Sequence, residues 1–164
     1  MSKATMRVDS PVGPLRLTSD DSLVIGVTFL DELVEPCGDT CHDEILAETG
    51  RQLSAYFAGR LRDFDVPVEP RGSAFQQRVW ARLRTIPFGA TASYADIAAQ
   101  LDMPVGASRA VGLANAANPV AIIVPCHRVI GSDGSLVGYA GGLHRKRFLL
   151  GIESPTAQDG LFDG

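Results

Sequence analysis

Asn118-Pro119-Val120-Ala121-Ile122-Ile123-Val124-Pro125-Cys126-His127-Arg128-Val129-Ile130-Gly131 is the stretch on which the reading of this chain turns. Residues 120–124 are the longest apolar run, and its length and β-branched content suit a buried strand. A thiol and an imidazole follow at once. A cysteine reacts as its thiolate, and at an ordinary pKa of about 8.5 it needs a neighbour to take its proton. His127 is the candidate base. Adjacent side chains rarely face each other, so a bridging water belongs in the picture. A base needs an orienting acid in turn. Glu153 is the one Glu after residue 71, where the other acids up to Glu153 itself are Asp96, Asp102 and Asp133. A Cys-His pair taken alone reads more often as a small buried Cys beside a solvated His.

Working outward, the flanks of this stretch are mostly helical. Ser73 is placed to cap a helix whose stripe is Phe75, Val79, Trp80, Leu83 and Ile86. Pro87-Phe88-Gly89 ends it. Ser93 caps a second helix over 94–101, with Asp96 at the reciprocal capping position. A turn through Pro104 and Gly106 leads to a third helix over 107–117, and the outline is a helix-turn-helix. That third helix is unusual for a major-groove reader. Ala107, Ser108, Ala110 and Gly112 are very small, and Arg109 is its one long polar side chain. Small residues let a backbone approach a narrow minor groove; an Ala-rich helix in a packed bundle is the equal alternative. Downstream, Val129-Ile130 and Leu136-Val137 bracket Gly131-Ser132-Asp133-Gly134-Ser135, which predicts a hairpin. Residues 138–142 are Gly-rich, and a last helix over 143–152 ends at Glu153. The Gly-rich run lacks a P-loop ending, so no phosphate site is read there.

The front is α+β. Met6-Arg7-Val8 and Leu15-Arg16-Leu17 flank a Pro-Val-Gly-Pro turn, residues 23–29 read as a third strand, and residues 44–58 as a helix. Pro67 and Pro70 mark a linker. The predicted organisation is a small N-terminal domain with an antiparallel sheet and a helix, residues 1–70, a mainly helical domain with the helix-turn-helix, 71–153, and a tail, 154–164. The 164 residues carry a net charge of -4, which taken whole disfavours nucleic acid. The charge is uneven, however. Residues 1–70 hold 6 basic and 13 acidic groups, and residues 71–153 hold 9 basic and 4 acidic. No apolar run approaches the ~20 residues of a membrane span, and the N-terminus shows no secretory pattern. Three cysteines fit a reducing cytoplasm better than a disulfide framework. Cys37, Cys41 and His42 are three metal-type ligands where a structural zinc wants four, so no metal is expected.

The opening stretch, followed by Gly138-Tyr139-Ala140-Gly141-Gly142-Leu143, resembles the active-site signature of the O6-alkylguanine-DNA alkyltransferases. Phe75-Gln76-Gln77-Arg78-Val79-Trp80, Ser93-Tyr94 and Arg109-Ala110-Val111-Gly112 are similar too, in family order. The close likeness covers residues 72–153, and the front resembles the family's variable N-terminal domain in outline.

The resemblance implies direct, single-turnover DNA repair on double-stranded DNA. The damaged guanine would be flipped out from the minor groove, and its O6-alkyl group (or the O4-alkyl group of thymine) would move to Cys126. His127 would relay the proton through water, Glu153 would orient His127, and Asn118 would brace the turn. Tyr94, Val129, Tyr139 and Ala140 would hold the guanine. Arg109 would enter the duplex, with Ala107, Ser108, Ala110 and Gly112 lining the groove. No cofactor, no metal, no membrane and a monomeric, cytoplasmic protein are implied. The basic surplus adds Arg71, Arg78, Arg82 and Arg128 as phosphate contacts, with Arg128 alternatively tying the two halves together. In place of Ala140 some relatives carry Ser, and the turn before Arg109 is one residue longer than in many. Three rivals make other demands. An alkyltransferase-like binder would lack Cys126, a transcription regulator would need major-groove side chains, and a cysteine hydrolase would turn over.

Overall fold

Three strands open the chain in the computed structural model, which describes residues 3–30, 43–104, 106–136, 139 and 141–154. They are β1 (Lys3–Val8), β2 (Leu15–Asp20) and β3 (Leu23–Phe29), antiparallel in the order β1-β2-β3. Alternation drives this sheet, with Leu15 and Leu17 fully buried on one face of β2. Its second turn is made by Asp21 and Ser22, both at positive φ (51° and 67°), the backbone that a two-residue hairpin requires. α1 (Glu44–Phe57) begins where Asp43 accepts from Leu46 N at 3.0 Å. It packs on β1 and β2 through Leu46, Leu53 and Tyr56.

The chain divides into two compact units. One is Met1–Arg71 with Pro119–Ile123, and the other is Gly72–Asn118 with Val124–Gly164. The second contains α2 (Ala74–Leu83), α3 (Tyr94–Gln100), α4 (Ser108–Ala116) and α5 (Leu143–Glu153). Reciprocal capping boxes start α2 at Ser73 with Gln76 and α3 at Ser93 with Asp96. The turn from α3 to α4 includes residues 101–104 and 106–107. The core of this unit gathers Val79, Trp80 and Leu83 of α2, Ile97 of α3 and Val111 of α4. The Trp80 indole donates to Ala114 O at 2.8 Å, fixing α2 to α4.

Two expectations are corrected. Residues 120–124 are buried but do not form a strand. Val120 makes an isolated parallel bridge to Val27, and the chain then turns, with Ile123 N donating to Ala121 O at 2.8 Å. Ile122 sits at φ 72°, a region β-branched residues rarely adopt. An apolar run reports burial, not extension. The predicted hairpin is not formed by Val129-Ile130 either. That dipeptide is β5, paired in parallel with β4 (Ala92–Ser93). The loop still folds as its Asp-Gly signal suggests, with Gly134 N on Gly131 O and Gly131 N on Ser135 O. Leu136 is in no strand, and Val137 lies outside the described residues. Among the described residues no helix is long and apolar enough to cross a membrane.

Candidate active site

Cys126 opens a 3-10 turn, Cys126–Arg128, that packs against α2 and α5. Cys126, His127 and Arg128 are 5%, 0% and 7% exposed. Burial of an ionisable group needs a partner, and α5 supplies it. Lys146, Leu149 and Glu153 fall at i, i+3 and i+7 on its inward face, and all three are buried. His127 Nε2 lies 2.8 Å from Glu153 Oε2. Arg128 donates from Nε to Oε1 at 2.8 Å and from Nη2 to Oε2 at 3.0 Å of the same carboxylate. Its Nη1 donates to Ile86 O at 2.7 Å. His127 Nδ1 is buried with no hydrogen-bond partner among the described residues.

The electrostatics set the resting protonation. Burial pushes the Cys126 thiol up, against the opposing pull of hydrogen bonds from Asn118 and Tyr139 and of the Lys146 charge. Burial pushes His127 down, outweighing its bond to Glu153, and the charges of Arg128 and Lys146 act in the same direction. Burial would raise Glu153, yet hydrogen bonds from His127 and Arg128 bring it down to about 2. The site therefore rests as a neutral thiol, a neutral imidazole and a carboxylate. With Glu153 ionised and acceptor-only, His127 Nε2 carries the proton and Nδ1 is an acceptor; this tautomer follows from the partners.

Asn118 spans the turn, its Nδ2 donating to Val124 O at 2.8 Å. Tyr139 precedes Gly142, whose φ of 94° and N–H on Tyr139 O close the loop before α5. Burial raises the Tyr94 phenol, as does the charge of an ionised Cys126. Val129 is fully buried. Ala140 lies outside the described residues, as do Cys37, Cys41 and His42. Among the described residues no cluster could hold a metal ion. On α4, Arg109 and Ala110 are exposed, and Ser108, Gly112 and the N-cap residue Ala107 are half-buried. Arg78 and Arg82 reach Leu101 O and Gln100 Oε1. Arg71 is held by Glu69 and Asp20. The expectation of Arg128 as a phosphate contact is corrected: the side chain is buried, and its Nε, Nη1 and Nη2 each donate to Glu153 or to Ile86 O.

Three residues went unread in the sequence. Lys146, fully buried, donates to Val129 O at 2.6 Å and stands 5.9 Å over the Tyr94 ring. Its helical spacing to Leu149 and Glu153 was the available signal. Asn115, 2% exposed on α4, donates to Cys126 O at 3.2 Å; a buried polar residue in an Ala-rich helix is a signal only when the inward face is known. Leu113 is 67% exposed on the same helix as Arg109.

The second unit is thus mainly helical, buries a thiol beside an imidazole, and carries a helix of small residues. The family models are specific. Residues 74–155 match the DNA binding domain, and residues 3–70 the ribonuclease-like domain, of 6-O-methylguanine DNA methyltransferase. The chain belongs to the O6-methylguanine DNA methyltransferase family. It is 52% identical over 152 residues to a methylated-DNA–protein-cysteine methyltransferase of Mycobacterium bovis, covering 92% of each chain. It is 49% identical to one of Methanosarcina acetivorans, covering 88% of this chain and 94% of that one. The crystal structure of Mycobacterium tuberculosis O6-methylguanine methyltransferase superposes with a TM-score of 0.81 at 48% identity, covering 93% of each chain. That of the Mycobacterium tuberculosis protein in complex with DNA superposes at 0.79, 48% identity, covering 93% and 95%.

Proposed function

We propose that this chain is a methylated-DNA–protein-cysteine methyltransferase that repairs O6-alkylguanine in duplex DNA by taking the alkyl group onto Cys126. The observation that carries the reading is the pairing of a buried neutral thiol with a buried histidine whose Nε2 is held by Glu153 and whose Nδ1 is left to accept a proton. The Cys126 proton passes to His127, directly or through water. The thiolate then displaces guanine at the alkyl carbon. The S–C bond forms, the C–O6 bond breaks, and the guanine leaves with the electron pair and takes up a proton. Asn118 and Tyr139 donate toward the developing thiolate, where a preorganised donor acts most strongly.

The reacting atom is inside the stack, so the base is flipped into the pocket. The helix-turn-helix of α3 and α4 lies along the minor groove. Arg109 occupies the gap, and Ala107, Ser108, Ala110 and Gly112 permit close approach. Tyr94, Val129, Tyr139 and Ala140 hold the base. Val129 O and Cys126 O already accept from Lys146 and Asn115, and a carbonyl has a second lone pair for a base edge. The thioether is stable, so each molecule acts once, as a monomer in a reducing cytoplasm. O4-alkylthymine is a further substrate of the same geometry.

Incubation with duplex DNA carrying radiolabelled O6-methylguanine tests this. Label is expected on the protein, up to one equivalent. Label released into solution with repeated turnover would identify a hydrolase instead, and no transfer at all would refute the reading.

A further inference from the structure

A carboxylate bonded to a buried histidine pulls it toward imidazolium, both through the hydrogen bond and through its charge, while burial and any neighbouring cation pull the other way. As imidazolium it cannot accept a proton from a thiol. The charged and titratable groups that face His127 are Glu153 and Lys146 from α5, Arg128 from its own turn and, next in sequence, Cys126. Arg128 differs from the others in its geometry. Its guanidinium binds both oxygens of Glu153, at 2.8 and 3.0 Å, and shares Oε2 with His127 Nε2. From the other side it is fixed by Ile86 O at 2.7 Å and lies 5.9 Å from the Phe88 ring centroid. The positive charge cannot swing away, and an arginine does not deprotonate. Cancelling the carboxylate this way removes the reason for a second proton on the pair.

We propose that Arg128 is a positioning residue for the base: by engaging both oxygens of Glu153 it keeps the His127–Glu153 pair from binding an extra proton at neutral pH, so that His127 Nδ1 stays open to the Cys126 proton. In the step served, the S–H bond of Cys126 breaks, an N–H bond forms at His127 Nδ1, and the electron pair remains on sulfur. The inference rests on the role given to His127 under the proposed function.

The test compares the pH dependence of alkyl transfer in the wild type, Arg128→Gln and Arg128→Lys, alongside a ¹⁵N NMR titration of His127. The pair titrates as one unit. In Arg128→Gln its extra proton is bound near neutrality, and the acidic limb of the rate rises by about one to two pH units. That is roughly a tenfold loss at about pH 6, recovered in alkali, with the NMR titration moving in step. Arg128→Lys keeps the charge and holds the limb near its wild-type position at a lower rate. A uniformly lowered Arg128→Gln profile of wild-type shape would overturn the proposal, as would an equal shift in Arg128→Lys. Should Arg128→Gln not fold, the wild-type titration decides: neutral His127 protonated at Nε2 at about pH 7 is expected, and imidazolium there overturns it. Absence of transfer in the wild type would instead refute the function, while the NMR titration would still read the effect of Arg128.

Discussion

Among the described residues of the first unit the buried polar side chains are Ser19, Asp20, Thr49 and Gln52, and three of these four are uncharged. Ser19 and Thr49 bond to Asp43 and to Ile45 O, and Gln52 accepts from Asp65 N. Ser19 ties β2 to the cap of α1, Thr49 bonds back within α1, and Gln52 ties α1 to the loop at Asp65. Among the described residues of the second unit the buried polar set is Asn115, His127, Arg128, Lys146 and Glu153, gathered about the free thiol of Cys126. Burying a charge costs several kcal/mol per ion before pairing. A unit selected for stability alone would fill that space with apolar residues. The contrast marks the second unit as the place where stability is exchanged for chemistry.

The largest expected effect is on the cysteine itself. Cys126→Ala abolishes alkyl transfer and keeps DNA affinity, read by label transfer and by binding to duplex in parallel. Loss of both would give Cys126 a structural role and erase the distinction between the units. Glu153→Gln comes next. It leaves Arg128 buried without its counter-charge, with an expected cost of about 3–5 kcal/mol in chemical denaturation. An unchanged midpoint would mean that the cluster carries little strain. Arg109→Ala is expected to slow repair in duplex by roughly thirtyfold, since extrusion costs a few kcal/mol, while reaction with free O6-alkylguanine is unaltered. Equal losses on both substrates would remove its place in the duplex.

How much of this was legible in the sequence depended on how local the cause was. The three strands, α1 and the caps at Ser73 and Ser93 are written in alternation, periodicity and spacing, all within a few residues. Residues 120–124 misled, because hydrophobicity does not distinguish a buried turn from a buried strand, and Pro119, Pro125 and the φ of Ile122 bend the chain there. The pairing of Val129-Ile130 with Ala92-Ser93 joins segments far apart in sequence, where no local signal reaches. Cys126, His127 and Glu153 were singled out by chemistry and by the motif. Lys146 is hard to read because a lysine is rarely buried, and the partners of Arg128, Ile86 O and Glu153 of α5, meet it only in three dimensions.

Acid sharpens the same comparison more gently. A His127 held below its ordinary 6.5 makes the unfolded chain bind more protons, so its contribution is present above about that pH and is lost as pH falls through it. Glu153, at about 2 in the fold against an ordinary 4.5, adds stability that is present above 4.5 and lost between there and about 2. Stability should thus fall first below neutrality and again below 4.5, by on the order of 3 kcal/mol or more in all. A flat profile to about pH 4 would contradict the assigned resting state. The smallest effect belongs to the first unit. Arg71→Ala removes half-exposed ion pairs with Asp20 and Glu69 and barely moves the melt, because solvent-exposed pairs contribute little, with transfer unaffected.

The most direct measurement is peptide mapping by mass after the protein has met excess duplex containing O6-methylguanine. A single methyl group on the peptide bearing Cys126, with a second addition of substrate leaving the protein unchanged, is the predicted result. Methylation at Cys37, Cys41 or His127, or an unmodified protein beside repaired DNA, would contradict it.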